Sequence, residues 1–381
     1  MKHPSTTPQS TAVLPPQFVR AEGRRWLVSR VWPSKDGRLG VELTADHQVR
    51  AGWFDGAGVS LLPAGTDRKL PDLESFATEG TVVSHRPGKR AVVHRRVQTT
   101  QPARRRRSAP AAEAPETFTK VVRPGRAEGI LSGIARAGAF AGPFRTPAVL
   151  EAGDAYVSLG ALAGASLHHA DTFSPGAWET AWTQVLAAWE TAIQDPAGTP
   201  GDVPVHDAAC EVAVLRRWVS AVGPYLAAGA SAEAKQAGPE TSVKLLAEAV
   251  EQTAASLLEL PARRLVPAHR DLHDKQLLFS EDLGPALLDA DTASLADPAL
   301  DLANLRAHAR WRALQGLWSA DQAETVRRAI NDAAYRAGVP AAALNLYERA
   351  TALRLSCLYA FRPTYAGAAA RLRTDLISET L

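Results

Sequence analysis

Residues 268–279 read AHRDLHDKQLLF. Seven polar or ionisable side chains, from His269 to Gln276, fill eight positions, and Leu277, Leu278 and Phe279 follow at once. Charge crowded ahead of a strand-length apolar run marks a loop held by a rigid element, where catalytic groups tend to sit. A solvated turn that merely happens to be charged is the bland alternative. Residues 286–305, ALLDADTASLADPALDLANL, add a second acidic loop: Leu287 and Leu288 lead into Asp289 and Asp291, and Asp297 and Asp301 follow. Two such loops joined by a hairpin can bring Asp271 and Asp289 face to face. Carboxylates gathered in this way repel unless a cation lies between them. Hard oxygen ligands suit Mg²⁺, which takes one or two carboxylates plus substrate phosphates.

Outward from these loops, the chain of 381 residues allows one large bilobal domain or two to three ordinary ones. A hydrophobic share of 46% and a charged share of 22% describe a globular protein with a core of its own. Net charge is only +3, and part of the excess is local, in Arg104–Arg107. Its flanks have loop composition, so a solvated hairpin loop is expected there in place of a nucleic-acid patch. Cys210 and Cys357 lack metal-ligand spacing and fall in apolar-periodic stretches, which predicts buried free thiols. The start of the chain lacks a signal-type apolar segment, and no run of about 18 apolar residues suggests a membrane span. A cytoplasmic protein without nucleic-acid or membrane partners is the expectation.

Residues 1–20 are polar and Pro-rich, which predicts disorder. From Trp26 to Leu62, short alternating runs separated by turns predict a small antiparallel sheet. A second β region runs from about 80 to 160. In it TVVSH and RAVVHRRV flank RPGK, TFTKVV follows, and a helix precedes the pair AVLEAG and AYVSLGAL. Beyond about residue 165 the periodicity is helical, interrupted by a strand-like island at 264–291. Trp178, Trp182, Leu186 and Trp189 recur at helical spacing and read as core. The class is α+β with two lobes, and the cleft between lobes is the default ligand site.

HRDLHDKQ resembles the catalytic loop of kinase-like phosphotransferases, in which H-x-D is followed five residues later by an amide. LLDADTASLADPALDLA resembles the metal loop of the aminoglycoside phosphotransferase and choline kinase-like family. The resemblance implies a protein kinase-like fold: a β cap at 21–78, a nucleotide-binding small lobe at 79–162, and a helical lobe at 163–381 carrying both loops. It implies ATP and Mg²⁺ as cofactors and a small-molecule hydroxyl acceptor such as a sugar, amino-sugar or aminoglycoside. Asp271 matches the catalytic aspartate, and Asp289 the metal ligand. Gln276 stands where the second metal-ligand Asn usually is. Lys120 matches the strand lysine that holds the α- and β-phosphates, with Glu128 as its partner. Gly88 belongs to the phosphate-covering hairpin. Gly160, Ala161 and Leu162 match the hinge that holds adenine. Asp301 is expected to cap its helix and brace the catalytic loop, and His269 to be structural. Asp291 is a secondary candidate for the metal. His273, Asp274 and Lys275 are loop residues expected to face acceptor or γ-phosphate.

Departures from the pattern favour two other readings. Gln276 is longer than Asn by about 1.5 Å, and the hairpin has a single glycine, which would suit a catalytically inactive nucleotide-binding module. The run HRDL would suit a protein kinase, but ADPALDLA follows too soon for an activation segment.

Overall fold

The structure is a computed structural model that describes residues 12–34, 36–96, 116–140, 142–194, 203–228 and 239–379. The first sheet is an antiparallel meander of β1 (Phe18–Ala21), β2 (Arg24–Pro33), β3 (Leu39–Ala45), β4 (Gln48–Phe54) and β5 (Val59–Leu61), in that order. Order therefore begins earlier than residue 20, because β1 pairs with β2 through Phe18↔Leu27 and Ala21↔Arg24. A short helix, α1 (Leu73–Glu79), leads to the second sheet. Its strands are β6 (Thr81–Arg86), β7 (Arg90–Arg96), β8 (Glu116–Val122), β9 (Val149–Ala152) and β10 (Tyr156–Gly160), in the order β6-β7-β8-β10-β9. Helix α2 (Ala127–Phe140) lies between β8 and β9 in the chain. The Arg104–Arg107 run lies outside the described residues.

The second lobe is helical: α3 (Pro175–Gln194), α4 (Ala208–Ala228), α5 (Pro239–Leu258), α6 (Ala299–Leu314), α7 (Ala320–Arg336), α8 (Ala341–Leu358) and α9 (Ala366–Ser378). Two three-stranded sheets interrupt it. One comprises β11 (Ala165–Ser166), β14 (Leu277–Ser280) and β15 (Gly284–Leu287); the other comprises β12 (Val205–His206), β13 (Val266–Ala268) and β16 (Ser294–Ala296). Trp178, Trp182, Leu186 and Trp189 are all buried along α3. Cys357 is buried as expected, but Cys210 is exposed, since it sits in the first turn of α4 on the solvent side. No helix among the described residues is long and apolar enough to cross a membrane.

The first sheet does not simply cover the small lobe. Its inward residues Trp26, Val28, Val41 and Leu43 join one continuous core with Trp178, Leu300, Trp311 and Phe361 of the helical lobe. It reaches the small lobe by a polar route. The Glu42 carboxylate accepts from Ser84 Oγ at 2.8 Å and from the His85 N–H at 2.7 Å.

Candidate active site

The loops at 269–276 and 288–293 are held side by side by ladders at both ends. Before them β13 pairs with β16 through Ala268↔Ser294; beyond them β14 pairs with β15 through Leu277↔Leu287. The Leu288 N–H also donates to Gln276 O at 2.8 Å. Within the first loop, Arg270 has φ +72°, a left-handed conformation that an ordinary side chain adopts only under outside constraint. Asp301 is that constraint. From the buried first turn of α6 its carboxylate accepts the N–H groups of His269 at 2.8 Å and Arg270 at 2.9 Å. Asp297, just before α6, accepts the Ala299 N–H through Oδ1 at 2.8 Å. Asp301 lies three residues past Pro298, which stands at the N-cap, so it does not cap the helix and its carboxylate serves to brace the loop.

His269 Nε2 donates to Leu288 O at 2.8 Å, which leaves Nδ1 to accept the Asp271 N–H at 3.3 Å. This imidazole is a strut between the two loops, as expected. The Asp271 side chain remains half exposed, 50% accessible, on a cleft that Gln276 and Asp289 also line.

Asp289 is also left-handed, φ +56°, which Asp tolerates better than most residues. Its carboxylate receives the Lys120 ammonium from β8, while the Gln276 amide lies 3.5 Å away. Asp291 lies 3.5 Å from Lys120 on the other side. Burial pushes the Asp289 carboxyl up, but the Lys120 charge outweighs it and brings it down to about 2. Asp291 goes the other way, raised by burial and by Asp289 beside it. Lys120, Asp289, Asp291 and Gln276 thus converge, with Asp271 on the same cleft.

Two expected residues do not join them. Glu128 is exposed in the first turn of α2 and makes no ion pair with Lys120, whose ammonium is taken by Asp289 and Asp291. What reaches the metal loop from α2 is Gly133, packed so tightly on the Asp291 backbone that a Cβ there would lie 2.3 Å from Asp291 O. Gly88 needs its glycine for φ +63°, but its N–H donates to the Asp67 carboxylate at 2.6 Å, and His85 Nε2 meets the same group at 3.2 Å. The linker after the first sheet has taken the donor that a phosphate would use. At the expected hinge, the Gly160 and Ala161 N–H groups donate to Ala148 O and Glu116 O, and the Leu162 N–H has no backbone acceptor among the described residues.

Asp274 is a further correction, since it does not line the cleft. It is fully buried, chelated by Arg312 at 2.8 and 2.9 Å and met by His168 Nδ1 at 2.5 Å. His273 is also largely covered, stacked on His308 at 4.6 Å. Lys275 alone of the three is exposed.

The model of the phosphotransferase enzyme family matches residues 88–343. The chain belongs to that family. It is a phosphotransferase, with the bilobal kinase-like fold that the family shares. Comparison with curated proteins returned no match. Among solved structures, an aminoglycoside phosphotransferase from Streptomyces rimosus is 21% identical over 76% of this chain and 96% of its own, with a TM-score of 0.46. A macrolide 2'-phosphotransferase from Brachybacterium faecium is 17% identical over 76% and 87%, with a TM-score of 0.42. Choline kinase LicA from Streptococcus pneumoniae is 13% identical over 80% and 97%, with a TM-score of 0.47. The N-terminal sheet lies before the matched segment.

Several residues of this phosphotransferase site were missed in the sequence. Asn304 donates to Arg270 O at 2.8 Å and accepts from Arg354 at 2.7 Å, and Arg354 approaches Asp271 to 3.9 Å. Asp301, Asn304, His308 and Arg312 form one buried polar stripe on α6, at i, i+3, i+7 and i+11. That spacing was a readable signal.

Proposed function

We propose that this family member transfers the γ-phosphate of ATP to a hydroxyl of a small molecule, with Mg²⁺ required. The observation that carries the reading is the convergence of Lys120, Gln276 and Asp289 beside a half-exposed Asp271. Phosphoryl transfer asks little covalent chemistry of a protein; it asks for positioning and neutralised charge.

The carboxylates of Asp289 and Asp291 suit a hard cation; Gln276, whose Nε2 faces Asp289 at 3.5 Å, would add its amide oxygen once the amide turns over. Bound Mg²⁺ would neutralise phosphate charge as it develops. Lys120 would hold the α- and β-phosphates as a point charge, oriented by Asp289 and Asp291 in the place expected of Glu128. The apolar slot between Ile134, Pro147, Leu159 and Leu287 would take the base, with the Leu162 N–H as hinge donor. Asp271 would orient the acceptor hydroxyl and accept its proton. Arg354 and His273 flank that carboxylate at 3.9 and 3.8 Å.

The test is ATP turnover with Mg²⁺ against sugars, amino-sugars, aminoglycosides and amino alcohols, with Asp271→Asn alongside. Acceptor-stimulated turnover that drops about 10²–10⁴-fold in the variant, with nucleotide affinity retained, is the expected result. Mg²⁺-dependent nucleotide binding without any turnover would favour the inactive module instead.

A further inference from the structure

Asp289 separates two spaces. On one side is the narrow apolar slot, on the other a cleft of about 510 Å³ that Asp271 also faces. The cleft is walled by the catalytic loop, by the end of α8 with the two turns after it, and by Ser29 and Arg30 of the first sheet. Its ionisable lining is lopsided. Arg30, Arg90, Lys275, Arg312, Arg354 and Arg362 line it, against only two acids, Asp271 and Asp289. Both acids already serve the proposed chemistry.

Some of the cations are locally neutralised. Asp274 chelates Arg312, Glu42 lies 3.4 Å from Arg30, and Arg354 is shared between Asp271 and Glu211. Lys275, Arg362 and, on the nucleotide side, Arg90 are different: among the described residues none has a carboxylate within ion-pair distance. Arg362 is nonetheless held in place. It donates to Phe361 O at 3.1 Å and Val31 O at 3.4 Å and lies 5.7 Å from the Trp32 ring centroid. Burial, and after it the charge of Arg30, push Arg362 down to about 10. Tyr359 stands in the same wall, and although burial raises its phenol, Arg312 and Lys275 bring it below its ordinary value. An ammonium group brought here would meet cations on several sides, whereas an anion would relieve their mutual repulsion.

We propose that the acceptor is an alcohol that also carries a phosphate or carboxylate, gripped by Lys275 and Arg362 with Arg30 at the rim. Polycationic acceptors are then rejected, and the N-terminal sheet acquires a role, because it supplies one wall of the acceptor site. The inference rests on the phosphotransferase reading above, which sets the hydroxyl at Asp271.

The test uses the full chain saturated with Mg²⁺ and a non-hydrolysable ATP analogue, so that the nucleotide's own phosphate contacts are filled. Calorimetry then compares glucose, glucosamine, glucose 6-phosphate and glucuronate. At least one anionic probe should bind about tenfold more tightly than glucose, and glucosamine more weakly. Which of the two anions gains shows whether the group is phosphate or carboxylate. Lys275→Met, at an exposed position, should remove most of that gain, and Arg362→Met should do the same if the variant folds. Added salt should weaken only the anionic probes. Equal binding of all four, tighter glucosamine, or no binding by either anion overturns the proposal. Failure of the ATP analogue to bind would instead sink the phosphotransferase reading, and this inference with it.

Discussion

Asp274 is a carboxylate buried between the Arg312 guanidinium and His168. Burial pushes its carboxyl up, but His168 and the Arg312 guanidinium outweigh it and hold it far below the usual carboxylate range. A folded-state value below the unfolded one means that the unfolded chain binds the extra proton as pH falls. The stabilisation is therefore complete above an unfolded Asp's pKa of about 4 and is lost progressively below it. Asp274→Asn leaves Arg312 buried without its counter-charge and should cost about 3–5 kcal/mol. Urea unfolding at pH 7 checks the magnitude. A second series near pH 3 should show a smaller difference between variant and wild type, because the wild type has by then lost part of the advantage. Read as sequence, Asp274 was one more charged loop residue. Nothing in AHRDLHDKQLLF says that a guanidinium 38 positions on will cover it. The polar stripe on α6 was the available hint, and its partner loop could be named only once the chain had folded.

Helix α2 offers a comparison within a single element. Gly133 presses on the Asp291 backbone, while Gly129, one turn earlier, has nothing within 4 Å of where a Cβ would stand. Gly133→Ala must push the helix off the metal loop, at about 1–3 kcal/mol, and should disturb Lys120, Asp289 and Asp291 together. Gly129→Ala should be neutral or stabilising by about 0.5–1 kcal/mol, since it only removes unfolded-chain freedom and improves helix propensity. Thermal melts of the two variants, with turnover measured beside them, separate close packing from propensity. Equal effects would mean that the helix does not bear on the loop. The same helix explains why Glu128 failed as the lysine's partner. Ala127 in its first turn packs into the small-lobe core while Glu128 beside it faces solvent, and the acids that reach Lys120 come from the 288–293 loop of the other lobe.

At the scale of the whole molecule, the first sheet and the helical lobe share one apolar core. A unit with its own core can unfold alone; this sheet has none to itself. The first sheet and the helical lobe should therefore unfold together in urea, giving one tryptophan-fluorescence transition. Tryptophans lie in both parts, Trp26 and Trp32 in the sheet and Trp178, Trp182 and Trp311 in the helices, so fluorescence samples both. An early step assigned to the sheet would contradict the shared core.

By itself the sequence determined what depends on neighbours along the chain. Period-2 and period-3.6 patterning located both larger sheets and the helices, and the resemblance of HRDLHDKQ and LLDADTASLADPALDLA to the family's two loops singled out Asp271, Asp289 and Gln276. Only the tertiary structure decided contacts between distant segments. It gave Lys120 to Asp289 and Asp291, buried Asp274 under Arg312, tied the Gly88 N–H to Asp67, and brought Arg30 into the cleft. The physical reason is range. Patterning reflects which face of an element is buried, whereas pairing of charges and donors depends on which elements meet, and close packing settles that for the whole chain at once.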